Sequence, residues 1–132
     1  MTQINWDALR AAAKAAMANS YSPYSNFAVG AAALVDDGRI VSGCNVENAS
    51  YGLALCAECS LVSDLFRTGG GKLVAFACVD AHGNTLMPCG RCRQLLIEHS
   101  EIGMQLDTVS GIKTIEEVLP DAFTPRDLIE RK

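Results

Sequence analysis

Residues 51–66 read YGLALCAECSLVSDLF, and the flanks of the Cys56-x-x-Cys59 pair, GLAL and LVSDLF, have helical rather than loop character. A helix is therefore predicted over 54–67, stopping at Gly69-Gly70-Gly71, because glycine tolerates the left-handed backbone that ends helices. Immediately downstream, KLVAFACVD (72–80) has the continuous apolar character of a strand buried on both faces. A second cysteine pair, Cys89-x-x-Cys92, lies in MPCGRCRQLL, where Pro88 is predicted to open a helix through about His99. Two CxxC pairs thus accompany two helices, one on either side of a buried strand.

Upstream, Phe27 to Val35 is apolar on both alternate faces, Asp36-Asp37-Gly38 supplies hairpin chemistry, and a partner strand is predicted from Arg39 to about Val46. Residues 5–18 form a predicted helix capped by Asn5, with Trp6, Leu9, Ala13, Ala16 and Met17 in one stripe, ending in the turn-rich NSYSPYSN. Toward the C-terminus, MQLDTVS is a strand candidate, TIEEVLP a short helix and TPRDLIERK a capped last helix. This alternation of strands and helices predicts an α/β layer sandwich, and neither a repeat nor a linker divides it: one domain over 1–132.

Composition narrows the function. With 49% hydrophobic and 20% charged residues the chain is globular rather than disordered, and it has no apolar run long enough to span a bilayer. The opening MTQINWDALRAAAKAAMANS lacks the unbroken hydrophobic core of a secretory signal, so a cytoplasmic protein is expected. In a reducing compartment six cysteines point to metal binding or catalysis rather than to disulfides. A net charge of −4 gives no basic field to hold nucleic acid or an anionic membrane.

Zn²⁺ is the natural metal for such thiolates, and helix N-termini stabilise their negative charge. On spacing alone, Cys56, Cys59, Cys89 and Cys92 could close a four-cysteine structural site. Three features tilt the reading toward catalysis. Glu58 sits two residues after a ligand and is not needed for coordination; the cysteines ride on helical rather than loop sequence; and Pro88-Cys89-x-x-Cys92 matches half of the zinc deaminase signature, whose other half carries a non-ligand glutamate. Away from a metal, a glutamate early in a helix would be read as compensating the helix dipole.

With FAVGAAAL, GCNVENASYG, CAE, PCGRCRQ and LPDAF in order and in approximate register over nearly the whole chain, the sequence resembles the small, homotetrameric-type cytidine deaminases. The resemblance implies a three-layer α/β/α sandwich with a mixed, about five-stranded sheet. It implies one Zn²⁺ per subunit held by Cys56, Cys89 and Cys92 with a water in the fourth position, and Glu58 as the proton carrier in hydrolysis of cytidine or deoxycytidine. It also places Asn45 and Glu47 on the ribose 3′-OH; they stand two apart at a strand end, so their side chains share a face. Phe27 then contacts the base, Phe123 reaches a neighbouring subunit's base, and Tyr51 contributes at the interface, with active sites shared within a homotetramer. The backbone N–H groups of Ala57 and Glu58, near a helix start, suit the pyrimidine carbonyl.

The chain departs from many members at Cys59, where they carry an arginine directed at the sulfurs. Three thiolates leave a zinc centre net negative, which keeps a bound water's pKa high unless dipoles and cations offset it. Arg93, in the Cys-Arg-Gln run, is the expected cation, and Cys59 is read as a small residue packed beside the site rather than as a fourth ligand. Cys44 and Cys78 fall on apolar strands and are read as small buried residues, and His82 and His99 as ordinary polar ones. TGGGK lacks the spacing of a phosphate loop. The rival readings are a non-catalytic zinc-stabilised interaction domain, a polynucleotide deaminase, disfavoured by Cys56 in the first ligand position and by the acidic composition, and a deaminase of a nucleoside antibiotic.

Overall fold

In a computed structural model, which describes residues 3–131, five strands build one sheet: β1 (Val29–Val35), β2 (Ile40–Cys44), β3 (Leu73–Asp80), β4 (Ser100–Thr108) and β5 (Gly111–Thr114). Their order is β2-β1-β3-β4-β5. Five helices accompany them: α1 (Trp6–Met17), α2 (Ala57–Arg67), α3 (Gly90–Glu98), α4 (Ile115–Val118) and α5 (Pro125–Glu130). Strand pairing is mixed, antiparallel for β1/β2, β1/β3 and β4/β5 and parallel for β3/β4.

The two-sided apolar character of β1 and β3 sets up the layers, because neighbouring residues of a strand face opposite ways. Ala32 of β1 and Ala75, Ala77 and Val79 of β3 pack against Leu9 and Ala13 of α1. Their neighbours Ala31, Ala33, Phe76 and Cys78 pack on the other face with Leu61 and Leu65 of α2 and Leu96 of α3. Each fully buried leucine contributes about 1.5–3 kcal/mol. As expected, Asn5 caps α1, its side chain accepting the Ala8 N–H at 3.1 Å. Capping boxes start α4 at Thr114 and α5 at Thr124.

Topology then fixes the site. β2 and β3 both run antiparallel to β1 and hence parallel to each other, so α2 is a crossover between parallel strands, as α3 is between β3 and β4. Both helices start beyond the carboxyl ends of the strands before them, the edge at which open α/β sheets bind ligands. Gly43 brings α2 close: a Cβ there would stand 2.5 Å from Ala57 O and Leu61 N.

Three expectations are corrected. α2 begins at Ala57 rather than at residue 54, because Leu55 pairs with Val46 through N–O bonds of 2.9 and 2.8 Å, Tyr51–Leu53 form one 3₁₀ turn, and Cys56 is extended. Pro88 precedes the cap of α3 instead of lying in its first turn. β4 starts at Ser100, before the predicted MQLDTVS, and the unforeseen β5 has only four residues in which to display an alternation.

Candidate active site

Cys56 and Cys89 occupy the same position in their helices: each is the N-cap, with extended backbone (φ/ψ −68/158° and −67/170°) and a side chain that makes no capping hydrogen bond. Their thiols are therefore aimed by the helix starts without being consumed there. One turn into α3, Cys92 completes a group in which the three Sγ atoms lie within 4.8 Å of one another. A tetrahedral zinc with bonds of about 2.3 Å separates its sulfurs by about 3.8 Å, a contraction within reach of side-chain rotation. The donor set also fits by charge. Burial pushes the Cys56 and Cys92 thiols up, Cys92 further because of Glu58, whereas the Cys92 and Arg91 N–H groups hold Cys89 down. Cys56 and Cys92 thus hold their protons until a cation balances the sulfurs, the usual coupling of metal binding to proton release.

Cys59 is not a member of that group. It lies one turn along α2, lining a separate surface hollow with Ser42, Ser63 and Arg67. Arg93 departs from its expected role. Its Nε donates to Pro88 O at 2.9 Å and its Nη1 to Val118 O at 3.0 Å, so it fastens the approach to α3 and the end of α4. Arg91, between Cys89 and Cys92, has its guanidinium raised above its ordinary value first by the field of Cys59 and then by that of Cys56. Sequence spacing favoured Arg93 only through the Cys-Arg-Gln match; a residue between two ligands at a helix start was the signal for Arg91.

Glu58 is 4% exposed, an uncommon state for a carboxylate in the first turn of a helix. Beside it the cluster opens into a cleft of about 250 Å³, walled by Val29, Leu55, Ala57, Cys78, Leu86 and Met87, with Asn45 and Glu47 at its rim. Ligand cavities typically hold about 300–1,000 Å³, so one chain supplies a small one. The N–H groups of Ala57 and Glu58, in the first turn of α2, have no intrahelical acceptor.

Asn45 and Glu47 are pre-set by neighbours that sequence reasoning did not single out. Asn45 Oδ1 accepts from Val29 N–H at 2.9 Å and from the Ser20 hydroxyl, while Nδ2 donates to Phe27 O at 2.8 Å, leaving one amide hydrogen to spare. Glu47 Oε1 accepts the N–H groups of Tyr24 (2.9 Å) and Ser25 (3.1 Å), and Oε2 the Ser25 hydroxyl. The Ser25 hydroxyl is the main reason its carboxyl sits below the ordinary range, with the backbone donors adding to it. It remains an ionised acceptor at neutral pH.

The aromatic candidates behave differently. Phe27, Tyr51 and Phe123 are 49%, 78% and 57% exposed, and none of them walls the cleft. Phe27 sits beside it through its carbonyl contact with Asn45. Tyr51 lines an adjoining hollow that shares Glu47 and Ala54 with the cleft, its ring meeting Tyr24 edge-on at 6.3 Å. Phe123 is held near α3 by Gln94, whose Nε2 donates to its carbonyl at 2.7 Å. Among the described residues no helix is long and apolar enough to cross a membrane.

Comparison with known proteins agrees with this geometry. Residues 5–104 match the family model described as "Cytidine and deoxycytidylate deaminase zinc-binding region". The sequence is 58% identical over 128 residues to a cytidine deaminase of Mycobacterium tuberculosis, covering 97% of this chain and 96% of that protein. It is 41% identical over 114 residues to one of Halalkalibacterium halodurans, covering 83% and 86%. The fold superposes on the crystal structure of cytidine deaminase from Mycobacterium tuberculosis with a TM-score of 0.89 at 59% identity, covering 92% of this chain and 98% of that one. For the structure from Burkholderia pseudomallei the TM-score is 0.79 at 42% identity, covering 93% and 100%.

Proposed function

Because the chain belongs to the cytidine deaminase family, we propose that it hydrolyses the C4–NH₂ bond of cytidine and deoxycytidine, yielding uridine or deoxyuridine and ammonia in pyrimidine salvage. The observation that carries this reading is the convergence of three thiols, a buried glutamate and a pre-set Asn/Glu pair on one cleft. Cys56, Cys89 and Cys92 would hold one Zn²⁺ per subunit, and the ion when bound supplies Lewis acidity that makes a water nucleophilic at neutral pH.

The protein's own groups do the rest. Glu58, poised at the cleft wall, accepts a proton from the attacking water and delivers it to N3, so that negative charge never accumulates on the ring. It then carries the second proton to the amino nitrogen, which departs as neutral ammonia while C4 becomes a carbonyl. The N–H groups of Ala57 and Glu58 receive the C2 carbonyl, and the helix dipole favours the partial negative charge there. Glu47 accepts the ribose 3′-OH and Asn45 orients it; a site built around such a hydroxyl rejects substrates that lack it, because the carboxylate would stay unpaired. Arg91 offsets the negative charge of the sulfur cluster, with Arg93 and Cys59 supporting from outside it.

Phe27 stacks beside the base, while the exposure of Tyr51 and Phe123 supports an assembly, a homotetramer, in which neighbouring copies complete one another's clefts. The acidic composition and the small cleft support a free nucleoside rather than a polynucleotide as substrate, and the reaction is assigned to the cytoplasm. Zinc-loaded protein incubated with cytidine should lower its ultraviolet absorbance and release one ammonia per uridine formed. Stable cytidine in the presence of stoichiometric zinc would overturn the assignment.

A further inference from the structure

By sequence Cys78 is a small buried residue of an apolar strand, but its neighbourhood assigns it more. On β3, Cys78 is 1% exposed and faces the α2/α3 side of the sheet, where its Sγ donates to Glu58 Oε1 at 3.6 Å. It also forms part of the wall of the cleft. We infer that Cys78 is a positioning residue: its thiol holds the Glu58 carboxylate at one angle from the sheet side, so that the other oxygen points into the cleft.

The alternative donors are few. Glu58 also meets the thiol of Cys92, but a thiol that ligates a metal must lose its proton, and with it any hydrogen to give the carboxylate. Cys78 lies outside the ligand group, and burial, ahead of the field of Glu58, pushes its thiol well above the ordinary value, so it keeps its hydrogen. Glutamate rotates freely about its last torsion, where rotamer wells are broad. A buried neighbour that donates at one oxygen is thus the means by which the strand can narrow that freedom. S–H is a weak donor, so the effect should be modest beside the loss of Glu58 itself. It should also fall on turnover rather than on binding, because misplacing a catalytic group by a fraction of an ångström weakens only interactions made in the transition state.

The inference rests on the proposed proton-carrying role of Glu58, and its test uses zinc-loaded Cys78→Ala, Cys78→Val and Cys78→Ser. Alanine removes the donor, valine fills the space without one, and serine restores it. Zinc content and KM for cytidine should stay within about twofold of wild type, with kcat lowered about three- to thirtyfold in the alanine and valine variants and recovered to within about threefold by serine. Valine performing as well as wild type would make Cys78 packing alone and overturn the inference.

A second measurement does not depend on turnover. The infrared S–H stretch that disappears in Cys78→Ala should shift to higher frequency in Glu58→Ala, as its acceptor is removed. An unshifted band would overturn the contact. If wild-type protein shows this shift but never deaminates cytidine, the contact stands while the proposed reaction fails.

Discussion

The two ends of the cleft are built on opposite plans. At the metal end, Cys56, Glu58 and Cys92 are buried or half-buried and held by helix starts packed on the sheet, and the whole group comes from one chain. At the nucleoside end, Phe27, Tyr51 and Phe123 lie on loops or short turns, are about half or more exposed, and do not meet one another around the cleft. On the proposed function, chemistry that depends on tenths of an ångström would sit on the rigid scaffold, and recognition of a flat base would fall to side chains open to cover by a neighbouring copy.

The sharpest way to break this contrast is at the metal end. Replacing Cys56, Cys89 or Cys92 by serine should strip zinc and abolish turnover, as measured by metal analysis and uridine formation. Glu58→Gln should keep full zinc and lower kcat about 10²–10⁴-fold, the usual span for a lost acid/base group. Near-normal rates in that variant would remove Glu58 from the reaction. A step smaller is Gly43→Ala. The new Cβ would press on Ala57 O and Leu61 N, and overpacking of this kind costs about 1–3 kcal/mol. Denaturant unfolding should report that loss together with weaker zinc retention, since Cys56 moves with the first turn of α2.

Changes at the nucleoside end should act on binding. Tyr51→Ala and Phe123→Ala are expected to raise KM about tenfold with zinc retained and to weaken assembly in analytical ultracentrifugation. A fall in kcat with KM unchanged would mean that these rings act on the chemistry instead. Ser25→Ala is subtler. Glu47 sits below the ordinary carboxylate range chiefly through the Ser25 hydroxyl, so its grip on substrate is present above that range and lost as pH falls through the lowered value. Removing the hydroxyl should move the acid limb of a KM–pH profile to higher pH, and a limb that stays in place would detach Glu47 from the ribose. The smallest effect is expected from Cys59→Ser, with zinc and kcat within about twofold of wild type.

Much of the metal end was legible because its determinants are local. Cys56 and Cys89 each begin a helix, Glu58 follows a ligand by two, and the apolar runs of β1 and β3 announce a sheet covered on both faces. What escaped the sequence depends on distant contacts. The Cys78 thiol meets Glu58 across twenty residues, Ser20 and Ser25 reach Asn45 and Glu47 across similar gaps, and Arg93 turns to Val118 O. α2 starts later than its sequence predicts because the bridge from Leu55 to Val46 outweighs local helical preference. The sheet has the five strands that the resemblance implies, but the residues of β5 do not announce it, because four carry too little pattern to separate a strand from a turn.

Everything at the chemical end turns on how many sulfurs the zinc would have. X-ray absorption fine structure at the zinc edge, recorded on freshly loaded wild-type protein and on Cys59→Ser, tests this directly. Three sulfur scatterers in both samples is the expected result. Four in the wild type, falling to three in Cys59→Ser, would close the coordination sphere and contradict the account.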